Sequence, residues 1–210
     1  MKIAILGAGN VGSTLGKVWG SLGHEIHYGV RRPEDPKIQE LLRSTAASAQ
    51  AGLPAEAAAA CPVVLLATPW HATEEVIRST GGLAGKTVID ATNPLLPDLS
   101  GLELGHSISG AERIAQWAPG ASICKAFNTT GANIMANPMI RGIRTVMFVC
   151  GDDPHAKQTT LDLATSIGFD AVDVGPLRLA RLLEPWALLW IHLAYQAGFG
   201  REFGFALLKR

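Results

Sequence analysis

The stretch Lys2-Ile3-Ala4-Ile5-Leu6-Gly7-Ala8-Gly9-Asn10-Val11-Gly12 decides how the rest of the chain is read. Four apolar residues follow Lys2 without interruption, the pattern of a strand buried on both faces. The next six have the G-x-G-x-x-G spacing, and Val11, Leu15, Val18 and Leu22 recur behind them at helical intervals. Strand, glycine turn and helix in that order form the dinucleotide-binding fingerprint. Gly7 permits the tight turn off the strand. Gly9 leaves the backbone open to a pyrophosphate, and Gly12 lets the helix lie close to the sheet. With Ala8, Asn10 and Val11 the turn presents unpaired N–H groups and the positive end of a helix dipole to the phosphates. Gly12, Gly16 and Gly20 also make a stripe. A glycine inside a helix costs about 1 kcal/mol relative to alanine, so the stripe predicts close packing. A phosphate-binding P-loop does not fit, because Gly16-Lys17 is followed by Val18 and no glycine stands at the required upstream spacing.

From this start the pattern alternates strand and helix, which predicts an α/β fold of Rossmann type. Its sheet is doubly wound and mostly parallel. Strands are expected at 2–6, 25–30, 62–68, 87–91 and 122–127, with a short third strand and helix within 46–60. Asp35-Pro36 and Asp153-Pro154 are helix starts, and Ser109-Gly110-Ala111-Glu112 is a capping box. Beyond residue 128 come strands at 145–150 and 169–174, and a long apolar helical segment at 177–195 interrupted by Pro185. Residues 1–210 are read as one domain, a core to about 128 with a small C-terminal α/β extension packed on it.

Composition narrows the function classes. Lys+Arg and Asp+Glu both number 18, so the formal net charge is zero and a general nucleic-acid surface is not expected. No signal peptide or membrane span is read in the chain. Cys61, Cys124 and Cys150 are widely spaced and have no pairing pattern, which fits a reduced cytoplasmic protein. The six histidines form no H-x-x-x-H pair and no C-x-x-C occurs, so no metal is expected.

The end of the second strand selects the dinucleotide. An NAD site carries an acid about 20 residues past the glycines, to hold the ribose 2′-OH. Here the place reads Tyr28-Gly29-Val30-Arg31-Arg32. A guanidinium matches a 2′-phosphate, so NADP(H) is the expected cofactor and Arg31 its stronger partner, with Arg32 beside it. Solvated surface arginines before a turn are the plain alternative. The later strand ends should line the crevice. Thr68-Pro69-Trp70 is placed along the nicotinamide ribose, and Asn93 at the ribose or the carboxamide. His71, Lys125 and Asn128 are candidates for the acceptor side, Lys125 equally for a rim charge. No catalytic acid or base is identified. That inventory suits hydride transfer between two cofactors, which needs alignment in a dry cleft more than proton transfer.

Gly23-His24-Glu25-Ile26, Gly29-Val30-Arg31-Arg32, Thr68-Pro69-Trp70, Val149-Cys150-Gly151-Asp152-Asp153, Gly175-Pro176-Leu177 and Arg181-Leu182-Leu183-Glu184 resemble the coenzyme F420-dependent NADP reductases. The resemblance implies hydride exchange between NADPH and a deazaflavin stacked over the nicotinamide, and a homodimer built partly through the C-terminal region. Val30 departs from the archaeal pattern, which has serine there. Lys125-Ala126-Phe127-Asn128-Thr129 looks more like the oxidoreductase domain of the STEAP metalloreductases, which implies a flavin (FMN or FAD). A reductase of a small organic substrate and a non-catalytic NADP-binding sensor stand as alternatives.

Overall fold

The computed structural model describes residues 1–208 and 210. The strands are β1 (Lys2–Leu6), β2 (Glu25–Gly29), β3 (Gln50–Gly52), β4 (Val63–Leu66), β5 (Thr87–Asp90), β6 (Ser122–Lys125), β7 (Met139–Ile140), β8 (Ile143–Arg144), β9 (Val146–Gly151) and β10 (Asp170–Gly175). The helices are α1 (Asn10–Ser21), α2 (Pro36–Thr45), α3 (Pro54–Ala60), α4 (Trp70–Ser79), α5 (Gly110–Trp117), α6 (Ala132–Ala136), α7 (Pro154–Ser166) and α8 (Ala180–Tyr195). Eight strands form one sheet in the order β10-β9-β6-β5-β4-β1-β2-β3, with β7 and β8 paired as a separate hairpin. All neighbours run parallel except β6 and β9. The order reverses between β1 and β4, the switch point at which a doubly wound sheet opens its ligand crevice.

The C-terminal extension continues the core sheet, with β9 and β10 added past β6. Two apolar layers cover the sheet. One holds Leu15 and Trp19 of α1 with Phe127, Met135 and Leu163. The other holds Ala57, Ile77, Ile114 and Leu183 from α3, α4, α5 and α8.

The glycine stripe of α1 accounts for that helix's position. A Cβ at Gly12 would collide with the Gly7 carbonyl, and one at Gly16 with the Tyr28 phenol. One at Gly20 would press on Thr45 Cγ2 at 3.0 Å. The helix can therefore settle on β2 and the end of α2, where Tyr28 Oη and Thr45 Oγ1 share a buried 3.0 Å hydrogen bond. The three starts expected from local sequence are present: Asp35, Ser109 and Asp153 each accept a backbone N–H at the head of α2, α5 and α7. Cys61, Cys124 and Cys150 are unpaired and buried, and burial pushes their thiols up to about 11, 11 and 12.

Candidate active site

The site begins where β1 meets α1. Gly7 has φ +107°, a conformation side chains disfavour, and an added Cβ would lie 2.5 Å from the Ala67 carbonyl and 3.2 Å from the Thr68 methyl. The end of β4 thus presses directly on the turn. Gly9 is different. Its backbone (φ −77°, ψ −167°) suits any residue, and a Cβ there would meet nothing within 4 Å. Neither conformation nor protein packing requires glycine at position 9. The open space above it, at the head of a helix with no side-chain cap, is what an approaching pyrophosphate needs. The residues present therefore fit a dinucleotide.

At the far end of β2, Arg31 and Arg32 are exposed. Arg32 lies 4.0 Å from Asp35 Oδ2, while among the described residues Arg31 has no carboxylate partner. A 2′-phosphate would therefore compete with nothing for the Arg31 guanidinium. Hydrogen bonds to charged groups contribute about 1.5–3 kcal/mol. Arg31→Ala should accordingly weaken NADPH by about ten- to a hundredfold and leave NADH within about twofold. Titration of intrinsic fluorescence with each dinucleotide checks this, and equal loss for both would remove the 2′-phosphate assignment.

On the other side of the switch point the structure corrects the expected role of Lys125. It neither faces an acceptor nor sits on a rim: its side chain is fully buried. Nζ lies 2.8 Å from Asp90 Oδ2, 2.6 Å from the Thr92 carbonyl and 2.9 Å from Glu184 Oε1. Burial alone would lower the ammonium's pKa, but the Asp90 and Glu184 charges outweigh it and hold it above its ordinary value. Glu184 also accepts from the Gly110 and Ala111 N–H groups at the head of α5, and Asp90 accepts from Thr92 N and Oγ1. One ammonium thereby ties together β5, β6, α5 and α8 beneath the crevice.

Above that knot the chain takes a left-handed turn at buried Phe127 (φ +59°). The cost is about 1–2 kcal/mol, and the ring is held between Trp19 and Phe169 at centroid distances of 5.5 and 6.3 Å. The turn brings Asn128 against Asn93. Asn128 Nδ2 donates to Asn93 Oδ1 and to the Leu183 carbonyl, and Asn93 Nδ2 donates to the Asn128 carbonyl. Asn93 lines the cleft as expected, but its amide is largely occupied in holding Asn128. Two other expectations are corrected. The Trp70 indole packs on Trp117 at 5.2 Å in the α5 layer, away from the cleft. His71 is exposed in the first turn of α4 and does not line the cleft. Thr68 Oγ1 bonds Thr73 Oγ1, and Thr73 Oγ1 donates to the Pro69 carbonyl, which fixes the loop after β4 beside the glycine turn.

The cleft between these parts has a volume of about 440 Å³. Its polar lining consists of amides and hydroxyls, such as Asn10, Ser13, Thr14, Asn93, Asn128 and Thr130, with Arg201 and Tyr195 contributed by the C-terminal end. No carboxylate, imidazole, thiol or amine is among the described residues that line it. Two buried polar atoms there, Asn128 Oδ1 and Thr130 Oγ1, have no protein partner. Such atoms are costly unless something satisfies them, so both suit a ligand. Trp190, Tyr195 and Arg201 carry no local signal of a site in the sequence, because only the fold brings the end of α8 and the following tail to the cleft. Asn133 Nδ2 holds that tail at the Arg201 carbonyl, and Trp190 Nε1 holds it at the Phe203 carbonyl. No helix among the described residues is long and apolar enough to cross a membrane.

Comparison with known proteins adds independent findings. The family model for NADP oxidoreductases that are coenzyme F420-dependent matches residues 2–94. The chain is 29% identical over 207 residues to the F420-dependent NADP reductase of Methanocaldococcus jannaschii, covering 92% of each. It is 30% identical over 183 residues to the metalloreductase STEAP3 of Rattus norvegicus, and spans only 36% of that protein's length. A solved structure from Arthrobacter sp. FB24, provisionally described as an F420-dependent NADP-reductase, superposes over all of both chains with a TM-score of 0.90 and 31% identity. A reductive aminase from Aspergillus terreus, at TM-score 0.67 and 21% identity, shares the fold.

Proposed function

The chain belongs to the family of coenzyme F420-dependent NADP oxidoreductases, and on that premise we propose that its cleft passes hydride between NADP(H) and a deazaflavin or flavin ring. It is an NADP-dependent oxidoreductase. The observation that carries the finer reading is the lining of the cleft. Oxidation of an alcohol needs a base within hydrogen-bond reach, and this cleft offers amides and hydroxyls, with the Tyr195 phenol and the Arg201 guanidinium at its C-terminal side, and no carboxylate or imidazole among the described residues that line it. Transfer between two rings needs their carbons held in register, and side chains that the fold itself holds, such as Asn93 and Asn128, can orient the rings.

The bound dinucleotide supplies or takes the hydride. The chain's own residues bind and orient. The glycine turn receives the pyrophosphate, Arg31 the 2′-phosphate, and the loops at Thr68-Pro69 and Asn93 flank the nicotinamide end. Asn128, held by Asn93 and the Leu183 carbonyl, offers a fixed acceptor. Mixing the protein with NADPH and, in turn, F420, FMN and FAD, while following the dihydronicotinamide absorbance, tests the reading. Rapid oxidation by one of them is expected. Tight NADPH binding with no oxidation by any would overturn it in favour of a sensor.

A homodimer is part of the same proposal, supported by the exposed apolar row Leu182, Trp186 and Leu189 along α8. Three unpaired buried thiols support a cytoplasmic, reducing setting.

A further inference from the structure

The long connection between β5 and α5 carries a small flap. Leu95 and Leu102 pair as an antiparallel bridge, Leu96 N donates to the Gly101 carbonyl at 3.0 Å, and Glu103 N donates to the Pro94 carbonyl at 2.6 Å. At its tip, Asp98 Oδ1 accepts from Ser100 N and Oγ at 3.1 and 2.7 Å. Between those two residues Leu99 sits at φ +60°. That conformation crowds a Cβ against the backbone; glycine or asparagine adopts it readily and leucine does not.

Nothing in the flap calls for leucine. The side chain belongs to neither buried core layer and is 38% exposed. What it does is line the cleft, in company with Trp190 and the unpartnered Asn128 and Thr130 atoms. It also lines a second groove along α8, beside Pro185, Leu188 and Leu189, with Ser100, His192 and Gln196 completing the wall. An unfavourable backbone bearing an apolar side chain at the wall of a reaction cleft calls for a reason outside the fold.

We propose that Leu99 is the specificity-determining residue of the acceptor subsite, the apolar surface against which the flat acceptor ring lies. This rests on the reading of the cleft as a hydride-transfer site between two rings. A flat ring bound there gains its contact from Leu99, while the dinucleotide at the glycine turn does not depend on it. The residue therefore separates acceptor recognition from NADPH recognition.

Leu99→Asn and Leu99→Gly both relieve the backbone and remove the apolar surface; Leu99→Met keeps an apolar side chain. The first two are expected to melt within about 2 °C of the wild type or above it. They should raise the KM for FMN or F420 about tenfold, with the Kd for NADPH within about twofold. Leu99→Met should stay within about threefold of the wild-type KM. An unchanged acceptor KM in Leu99→Asn overturns the assignment and leaves the function reading standing. So does a large fall in melting temperature in both variants, which would make the leucine structural. If the wild type oxidises NADPH with none of these rings, the function reading falls and the assignment falls with it.

Discussion

Gly9→Val is expected to abolish binding of NADPH and NADH together while the protein folds as before. The two halves of this expectation come from the same geometry. Gly9 has an ordinary extended backbone, and a Cβ there points into space with no protein atom within 4 Å. Valine therefore meets no steric penalty from the chain, and replacing glycine at the N-cap of α1 is expected to cost about 1 kcal/mol, too little to unfold the domain. The isopropyl group does occupy the space in front of the first N–H groups of α1. A pyrophosphate that must lie against those groups is displaced, and a loss of at least about a hundredfold in affinity follows for either dinucleotide. Gly12→Ala gives the contrast. Its Cβ collides with the Gly7 carbonyl, so it should lower the melting temperature as well as binding. Calorimetric titration of both dinucleotides, paired with a thermal melt, separates the two cases. A Gly9→Val protein that melts normally and still binds would make the turn a purely structural one.

The contrast also shows what could be read from the chain alone. The fingerprint, the alternation of strand and helix, and the caps at Asp35, Ser109 and Asp153 are local. Each is decided by residues within four or five positions, so each was visible in the sequence. The glycine stripe was visible too, although its partners Tyr28 and Thr45 were not. Lys125 marks the limit. At the end of an apolar strand it reads as a charge emerging into solvent, since its partners lie 35 and 59 positions away at Asp90 and Glu184. Asn93 and Asn128 lie at strand ends, where the rule for doubly wound sheets puts a crevice, and both line the cleft, yet that rule says nothing of their holding each other. The α6 helix and the β7–β8 hairpin were too short to register as periodic patterns. The cleft wall from α8 and the flap at Leu99 depends on tertiary placement of irregular backbone, for which no local signal exists.

Lys125→Met is expected to produce the largest loss of stability of any single change in the site. The substitution keeps most of the side-chain volume and removes the ammonium. Asp90 and Glu184, both with fully buried side chains, then face each other's charge with no cation between them. Removing one partner from a buried ion pair costs about 3–5 kcal/mol, a large part of the roughly 5–15 kcal/mol that holds a domain folded. At roughly 2–4 °C per kcal/mol for a chain of this size, the melting temperature should fall by about 10 °C. The defect should also depend on pH with a defined sign. In the variant, two buried carboxylates with no cation have pKa values raised above those of the unfolded chain. The penalty is therefore fully present above the folded pKa and is relieved as pH falls and one carboxylate takes up a proton. Wild type and variant should differ more at pH about 8 than at pH about 5. Lys125→Arg should not restore the wild type, because the planar guanidinium does not match three acceptors gathered around one nitrogen. Adding Asp90→Asn and Glu184→Gln to Lys125→Met should recover much of the loss, since a neutral set of similar shape removes the uncompensated charge. Thermal melts of these variants across that pH range decide the matter. A pH-independent loss would mean that Lys125 contributes by packing alone, and the electrostatic account of how β5, β6, α5 and α8 are tied beneath the cleft would have to be abandoned.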